Sequence, residues 1–460
     1  MKMKILLIQP SIKPKASLYE KLIMRLTLWQ PLTLGQIAAL TDERHDVIIV
    51  DENYERINYN GDYDLVGISA FTSTAPRAYE IADTFRDKDI PVILGGYHPS
   101  ALPMEAKQHA DSVVIGEAEG VWNSLLKDVE RDKLQPFYIS PPADADSIPS
   151  PLKCKNYSFL PFRGIEATRG CPYKCNFCAI SNSPIGCKFR VKPVEKVIKE
   201  IESLPYKGFI FYDSSMTINV GYTKTLFKKM KDLDKNFACF GNADVLGRDE
   251  ELLRLASEAG CLAWAIGFES VSQDSLNAIG KKFNRAGDYS KIVKKINDYG
   301  MAVIGSFVFG FDFDGHDVFD ATLDMAYECN IDSIGANILT PFPGTPLFDE
   351  LEKEGRILTK DWSKYDLYHV VFKPKLLSPE ELYEGTYRII KKFFSFPSIM
   401  KKILANKNFN LVTTSALSFH LITSRIVYKS AFGKAFDYRE YEYAKKLIGI
   451  IKYIDSIDEQ

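Results

Sequence analysis

The chain has almost no excess of charge: 58 Lys and Arg against 60 Asp and Glu leave a formal net charge of −2. Without a global surplus of cations to set against dense phosphate, a nucleic-acid partner is not expected. Long uninterrupted apolar runs are also missing. Met1-Lys-Met-Lys-Ile-Leu-Leu-Ile-Gln9 starts like a signal peptide, but its apolar stretch is too short and Pro10 follows, so it reads as a first buried strand. Residues 409–428 are apolar, yet Asn410, His420 and Arg425 interrupt them, which argues against a membrane span. Internal repeats and low-complexity tracts are absent. Eight cysteines in 460 residues are too few for a disulfide scaffold and suit a reducing cytosol. The six histidines are scattered.

Hydrophobic residues make up 46% and charged residues 26%, as in soluble globular proteins, and the length calls for two or three domains. The first third alternates short apolar runs (5–8, 47–50, 65–69, 92–94, 113–115) with helical patterns. Such runs suit parallel strands buried on both faces, so residues 1–134 are expected to form a doubly wound, Rossmann-like α/β domain. Residues 135–160 open with a stretch rich in Pro, Ser, Ala and Asp that reads as a linker. Six further strand candidates (164–167, 209–212, 237–241, 262–267, 302–309, 333–338) alternate with helical stretches over 161–350. That rhythm predicts a partial (β/α)6 barrel with its chemistry at the carboxyl ends of the strands. Residues 351–460 read as a helical extension. From Lys391 onward it carries 12 Lys and Arg against 6 Asp and Glu, so contact with a membrane surface and simple packing as a helix both stay open.

Cys171-Pro-Tyr-Lys-Cys175-Asn-Phe-Cys178 places three thiols on one loop just after the first barrel strand. Thiolates are the usual protein ligands of iron–sulfur clusters, and three of them on one loop can hold three irons and leave a fourth open to a small molecule. A structural zinc site would need four closed ligands, usually in two pairs. No second pair follows, since Cys187 is solitary.

This spacing resembles the signature of the radical S-adenosylmethionine (SAM) superfamily, over about residues 162–346. The resemblance implies a [4Fe-4S] cluster on Cys171, Cys175 and Cys178, with SAM chelated at the open iron. One-electron cleavage would then give a 5′-deoxyadenosyl radical able to abstract unactivated hydrogen. By the same resemblance Phe177 packs near the adenine, and Glu269 with Ser270 in Gly267-Phe-Glu-Ser270 meets the ribose. Asp213 is a further candidate SAM contact by this resemblance and stands where relatives carry two adjacent aspartates, although only the first acid is present here. Arg190 is a candidate partner of the methionine carboxylate, with a domain-bridging arginine as the alternative.

A doubly wound domain ahead of such a barrel, with Gly95-Gly96-Tyr97-His98 and then Gly116-Glu117-Ala-Glu119, resembles the cobalamin-binding branch of the superfamily. Gly95, Gly96, His98, Gly116 and Glu117 are its candidate cobalamin contacts. The Asp-x-His-x-x-Gly motif that supplies a cobalt-binding histidine elsewhere is absent, so cobalamin would bind without that ligand. Gly310-Phe-Asp-Phe-Asp314, Thr340-Pro-Phe-Pro-Gly-Thr-Pro-Leu347 and Glu354-Gly-Arg356 look closest to the branch containing hopanoid C-2 methylases. The resemblance implies a cytosolic, cobalamin-dependent C-methyltransferase that acts on an unactivated carbon, including that of a lipid or isoprenoid. Its partners would be a small-molecule or lipid substrate and a one-electron donor such as flavodoxin or ferredoxin. A radical SAM cyclase, C–C coupling or rearrangement enzyme is the alternative. An iron–sulfur electron-transfer or sensing protein, with Cys187 or Cys154 as fourth ligand, is the non-enzymatic one.

Overall fold

In the computed structural model, which describes residues 2–14, 32–151, 162–405 and 408–435, the first run becomes β1 (Lys4–Gln9), with Ile5, Leu6 and Ile8 wholly buried. It lies inside a sheet with β2 (Asp46–Asp51), β3 (Leu65–Ser69), β4 (Val92–Gly95), β5 (Ser112–Gly116) and β6 (Phe137–Ser140). The order is β2-β1-β3-β4-β5-β6, and every pairing is parallel. Helices cover both faces, which is why the central strands are apolar on each side. The chain reverses direction across the sheet between β1 and β3, the place where such sheets open a crevice at their carboxyl edge.

The sheet has six strands rather than the five expected, and the sixth lies inside the stretch read as linker. β6 is a four-residue edge strand that buries Tyr138 and Ser140 while Ile139 points outward at 75% exposure. So short an alternation between prolines carries little periodic signal.

The second sheet holds β7 (Phe162–Ile165), β10 (Gly208–Phe211), β11 (Asn236–Gly241), β12 (Cys261–Glu269), β13 (Ala302–Phe309) and β14 (Ser333–Ile338), all parallel and adjacent in chain order. A two-stranded antiparallel ribbon, β8 (Thr168–Arg169) with β9 (Arg190–Val191), is inserted after β7. Along β12 the large residues Trp264, Ile266 and Phe268 are buried, whereas the alternate Ala263, Ala265 and Gly267 stay partly open. Ile304, Ser306 and Val308 on β13 and Gly335 and Asn337 on β14 continue that second face. Mostly small residues on the concave face leave a hollow rather than a packed barrel core.

The C-terminal region is helical as expected. Helix Pro379–Phe393 begins with a capping box between Ser378 and Glu381. Helix Leu411–Ala435 packs Thr413, Leu417 and Leu421 inward and brings Tyr428 to the barrel, where a Cβ on Gly335 would lie 3.7 Å from the Tyr428 hydroxyl. Among the described residues no helix is long and apolar enough to cross a membrane. Cys154 and Phe436 lie outside the described residues.

Candidate active site

Directly before Cys171, Gly170 takes φ +86°, and a Cβ there would sit 2.1 Å from the Lys188 carbonyl oxygen. Only glycine fits both the angle and the space. The β8–β9 ribbon draws the two ends of the cysteine loop together. Within the loop, the Cys171 amide donates to the Gly186 carbonyl at 2.9 Å and the Cys178 amide to the Cys175 carbonyl at 3.2 Å. The Asn182 side chain donates to the Cys175 carbonyl at 2.8 Å and to the Cys178 carbonyl at 2.9 Å.

Asp213, just past β10, accepts the Thr168 amide and the Ala167 amide, the latter at 3.2 Å. Burial pushes its carboxyl up to about 7 despite these donors. It does not line the cavity next to the cysteines. The expected SAM contact is therefore replaced by a backbone one: Asp213 pins the chain that leads into the loop.

Cys171, Cys175 and Cys178 line a single cavity of about 260 Å³ beyond the carboxyl ends of β10–β13, with Phe177, Glu269 and Lys281 on its wall. Burial pushes the Cys175 thiol up to about 11, against a smaller opposing pull from the Lys281 ammonium. Phe177 faces the cavity and also meets Phe311 edge-on, with centroids 6.0 Å apart. Cys187 is exposed and is not on the cavity wall.

The end of β12 is a bulge. Its register against β13 slips between Gly267 and Glu269, and Glu269 takes φ +65°. A bulge re-aims a side chain, and a non-glycine residue at positive φ costs about 1–3 kcal/mol that its surroundings must offset. Asn284 donates to the Gly267 carbonyl at 2.9 Å and Tyr289 to the Phe268 carbonyl at 3.0 Å. The carboxylate so aimed pairs with Lys281, whose ammonium also donates to the Gly267 carbonyl at 2.9 Å. Ser270 does not line the cavity; its hydroxyl accepts the Ser272 amide at 3.0 Å.

Several residues expected at the first domain's ligand edge serve the protein's own packing. A Cβ on Gly96 would meet the Ala70 carbonyl at 2.7 Å, and one on Gly116 the Ser140 carbonyl at 2.3 Å. Gly95, by contrast, would meet nothing closer than the Val114 Cβ at 3.7 Å. His98 is wholly buried, with Nε2 3.3 Å from Glu105 Oε1 and its ring edge-on to Trp362 at 5.3 Å. The same Glu105 oxygen accepts from Tyr79 at 3.0 Å and Trp362 at 2.9 Å. His98 thus joins the first domain to the C-terminal region and is closed off from a ligand.

Arg190 forks onto Glu117, with Nη1 2.8 Å from Oε2, and donates to the Ala143 carbonyl at 2.6 Å. The alternative reading of Arg190, as a domain bridge, is the one the structure contains, and it removes Glu117 from the cobalamin contacts as well. Arg169, two residues before Cys171, bonds Glu166 of the barrel at 2.7 Å and reaches Glu119 and Gln36 of the first domain.

A radical SAM superfamily profile matches residues 165–326, and a B12 binding domain profile matches residues 25–126. The chain is 33% identical over 417 residues to bacteriochlorophyllide d C-8(2)-methyltransferase of Chlorobaculum tepidum, covering 85% of this chain and 91% of that protein. The chain belongs to the cobalamin-binding radical SAM family. Hopanoid C-2 methylase of Rhodopseudomonas palustris is a more distant member, 26% identical over 72% of this chain and 66% of that protein. The fold of this radical SAM enzyme is also that of the methyltransferase TsrM from Kitasatospora setae, with a TM-score of 0.66 at 16% identity, covering 95% of this chain and 99% of that one.

The family's cofactors are a [4Fe-4S] cluster, SAM and cobalamin. The donor set at the cavity fits the cluster: three thiols share one wall, and a cubane spreads its thiolates over separate irons. Among the described residues no group of three or more His, Cys, Asp or Glu is arranged for a single metal ion. For a flat corrin, the carboxyl edge of the first domain offers Phe71, 48% exposed and stacked on Tyr97 with centroids 6.1 Å apart. Lys281, Arg169 and Phe71 were not evident in the sequence. Gly280, at φ +82° behind helix Gln273–Ala278, is a helix-stop signal that could have marked Lys281 as a turn residue.

Proposed function

We propose that this enzyme transfers a methyl group to an unactivated carbon of a large, mostly apolar ring compound. The observation that supports this reading most directly is the meeting of two edges. Arg169, two residues before Cys171, is ion-paired with Glu119, just past the carboxyl end of β5 in the first domain, and its guanidinium also reaches Gln36. Phe71 and Tyr97 would hold a corrin on the edge that Arg169 ties to the cysteine loop, and Cys171, Cys175 and Cys178 would hold the cluster on that loop.

Bound there, the cluster with SAM supplies a carbon-centred radical, and cobalamin supplies the methyl group. Cys171, Cys175 and Cys178 would hold the cluster, Glu269 would accept from the ribose hydroxyls, and Phe177 would lie against the adenine. The ion pairs of Arg169 and Arg190 tie the first domain to the segment that carries the cysteine loop, and a closed junction there would keep water from the reacting carbon. Small residues on the concave face of β12–β14 leave room for a bulky substrate. Two relatives at 33% identity carry bacteriochlorophyllide d methyltransferase names, so a tetrapyrrole side chain is favoured over the lipid or isoprenoid first considered.

An external one-electron donor of the flavodoxin or ferredoxin class would reduce the site. Peripheral membrane contact would use the outer side of the last helices, where Phe396, Leu404, Leu411 and Ile422 are more than half exposed. Co-sedimentation with anionic vesicles at low and high salt tests it, and no binding at low salt would reject it.

The reading is tested by anaerobic reconstitution with iron, sulfide and cobalamin, followed by SAM, a reductant and either chlorophyllide-type tetrapyrroles or a hopanoid-containing lipid extract. Deoxyadenosine together with a product heavier by one CH2 supports it. Deoxyadenosine with a product that has only lost hydrogens would replace methyl transfer by cyclisation. A folded, active chain that retains no corrin would overturn it.

A further inference from the structure

Of the described residues lining the cysteine cavity, Lys281 is the one cation and Glu269 the one carboxylate. They are paired with each other directly above Gly267, where a Cβ would lie 2.7 Å from the ammonium and 2.4 Å from the carboxylate. The bulge at the end of β12 and the Lys281 bond to the Gly267 carbonyl hold both charges in place. Both charges line the same cavity as Cys171, Cys175 and Cys178.

We propose that the Lys281–Glu269 pair sets how readily the cysteine site accepts its electron, with the Lys281 ammonium favouring that gain and the Glu269 carboxylate opposing it. The proposal rests on the reading of Cys171, Cys175 and Cys178 as cluster ligands. One electron passes from an external one-electron donor, which is oxidised by one, to the site, which is reduced by one; no bond forms or breaks and no proton is required. The site gains one negative charge beside Lys281 and Glu269, whose side chains are 13% and 11% exposed. A fixed cation on the wall favours that gain and a fixed anion opposes it, because local charge is one of the levers a protein has over a cluster's potential. Lys281 is thus a positioning residue whose function is electrostatic.

The test is a mediated redox titration of the full-length protein carrying its reconstituted cluster, without SAM, with iron content measured for each variant. Lys281→Met should move the midpoint to more negative potential and Glu269→Gln to more positive potential. Lys281→Arg should stay near the unaltered chain, and the double variant should fall between the singles. Shifts of the same sign in both single variants, or none in either, would overturn the proposal. If Lys281→Met does not load, the opposite-sign prediction for Glu269→Gln and the neutrality of Lys281→Arg still decide it. An unaltered chain that binds no cluster overturns the proposed function and this inference with it. A loaded chain whose potential ignores both charges overturns this inference alone.

Discussion

Arg190 of the barrel and Glu117 of the first domain form a forked ion pair that is almost sealed from solvent, their side chains 8% and 1% exposed. Glu117 also accepts the Ala143 amide at 2.8 Å, so the carboxylate is held by the protein's own donors. Two residues first considered as ligands of two different cofactors are in fact each other's partner. Removing one half of a buried pair strands the other charge, which costs about 3–5 kcal/mol. Arg190→Met and Glu117→Met should each destabilise by that amount in chemical denaturation. The double variant should recover a large part of it, and SAM affinity per folded molecule should hold. A tenfold loss of SAM affinity in a well-folded Arg190→Met protein would return Arg190 to the SAM site.

The cysteine loop depends on its backbone as much as on its thiols. Cys171→Ala, Cys175→Ala and Cys178→Ala should each lose the cluster, because each removes a ligand. Cys187→Ala should keep it. Gly170→Ala should also lose most of the cluster with all three thiols intact, since a Cβ collides with the Lys188 carbonyl at an angle that disfavours side chains. Iron and sulfide content measured after anaerobic reconstitution checks this. Full loading of Gly170→Ala would show that the loop can relax.

Asp213 acts through the same loop from a distance. Asp213→Ala leaves the Ala167 and Thr168 amides without their acceptor, at a cost of about 1–3 kcal/mol. Cluster loading should fall because the loop's entry point loosens. Any SAM that still binds to loaded molecules should bind with unchanged affinity, as isothermal titration would report. Intact loading with weakened SAM binding would instead place Asp213 at SAM.

How much of this was legible depended on how local the interaction is. The barrel strands were readable because each is a short, largely apolar run between turn signals, and the cysteine loop because its three ligands lie within eight residues. Glu269 was readable as a strand-end acid two residues after a glycine. Its partner Lys281 lies 12 residues on and was not, since nothing in the intervening sequence shows that a bulge turns the carboxylate toward it. Arg190 and Glu117 are 73 positions apart, and Trp362 and Glu105 are 257 apart. Contacts of that range are made by the docking of domains, which periodicity does not encode. His98 follows a glycine pair at a strand end, a common place for a ligand; only the packing of Trp362 over it shows that it faces inward.

His420 makes the C-terminal helix sensitive to acid. Burial holds its imidazole down at about 4, below the ordinary 6.5, and its Nε2 lies 3.0 Å from the Ser333 hydroxyl on β14. A base depressed in the folded state binds fewer protons there than in the unfolded chain between those two values. Its contribution is therefore complete above pH 6.5 and is lost as pH falls toward 4. Each pKa unit is worth about 1.4 kcal/mol, so the ceiling is roughly 3 kcal/mol. Burial raises Asp213 to about 7 and Asp51 and Asp314 to about 6, and these acids act in the opposite sense, losing stability as pH rises through the same range. The whole-protein profile consequently mixes the two effects, and the difference between the chain and His420→Asn isolates one. That variant keeps a polar group near Ser333 but carries no titrating proton. Its stability relative to the unaltered chain, from denaturant unfolding at pH 7.5 and pH 5, should improve at the lower pH by about 1–2 kcal/mol. An identical difference at both pH values would mean that the imidazole is already protonated or open to water in the folded protein.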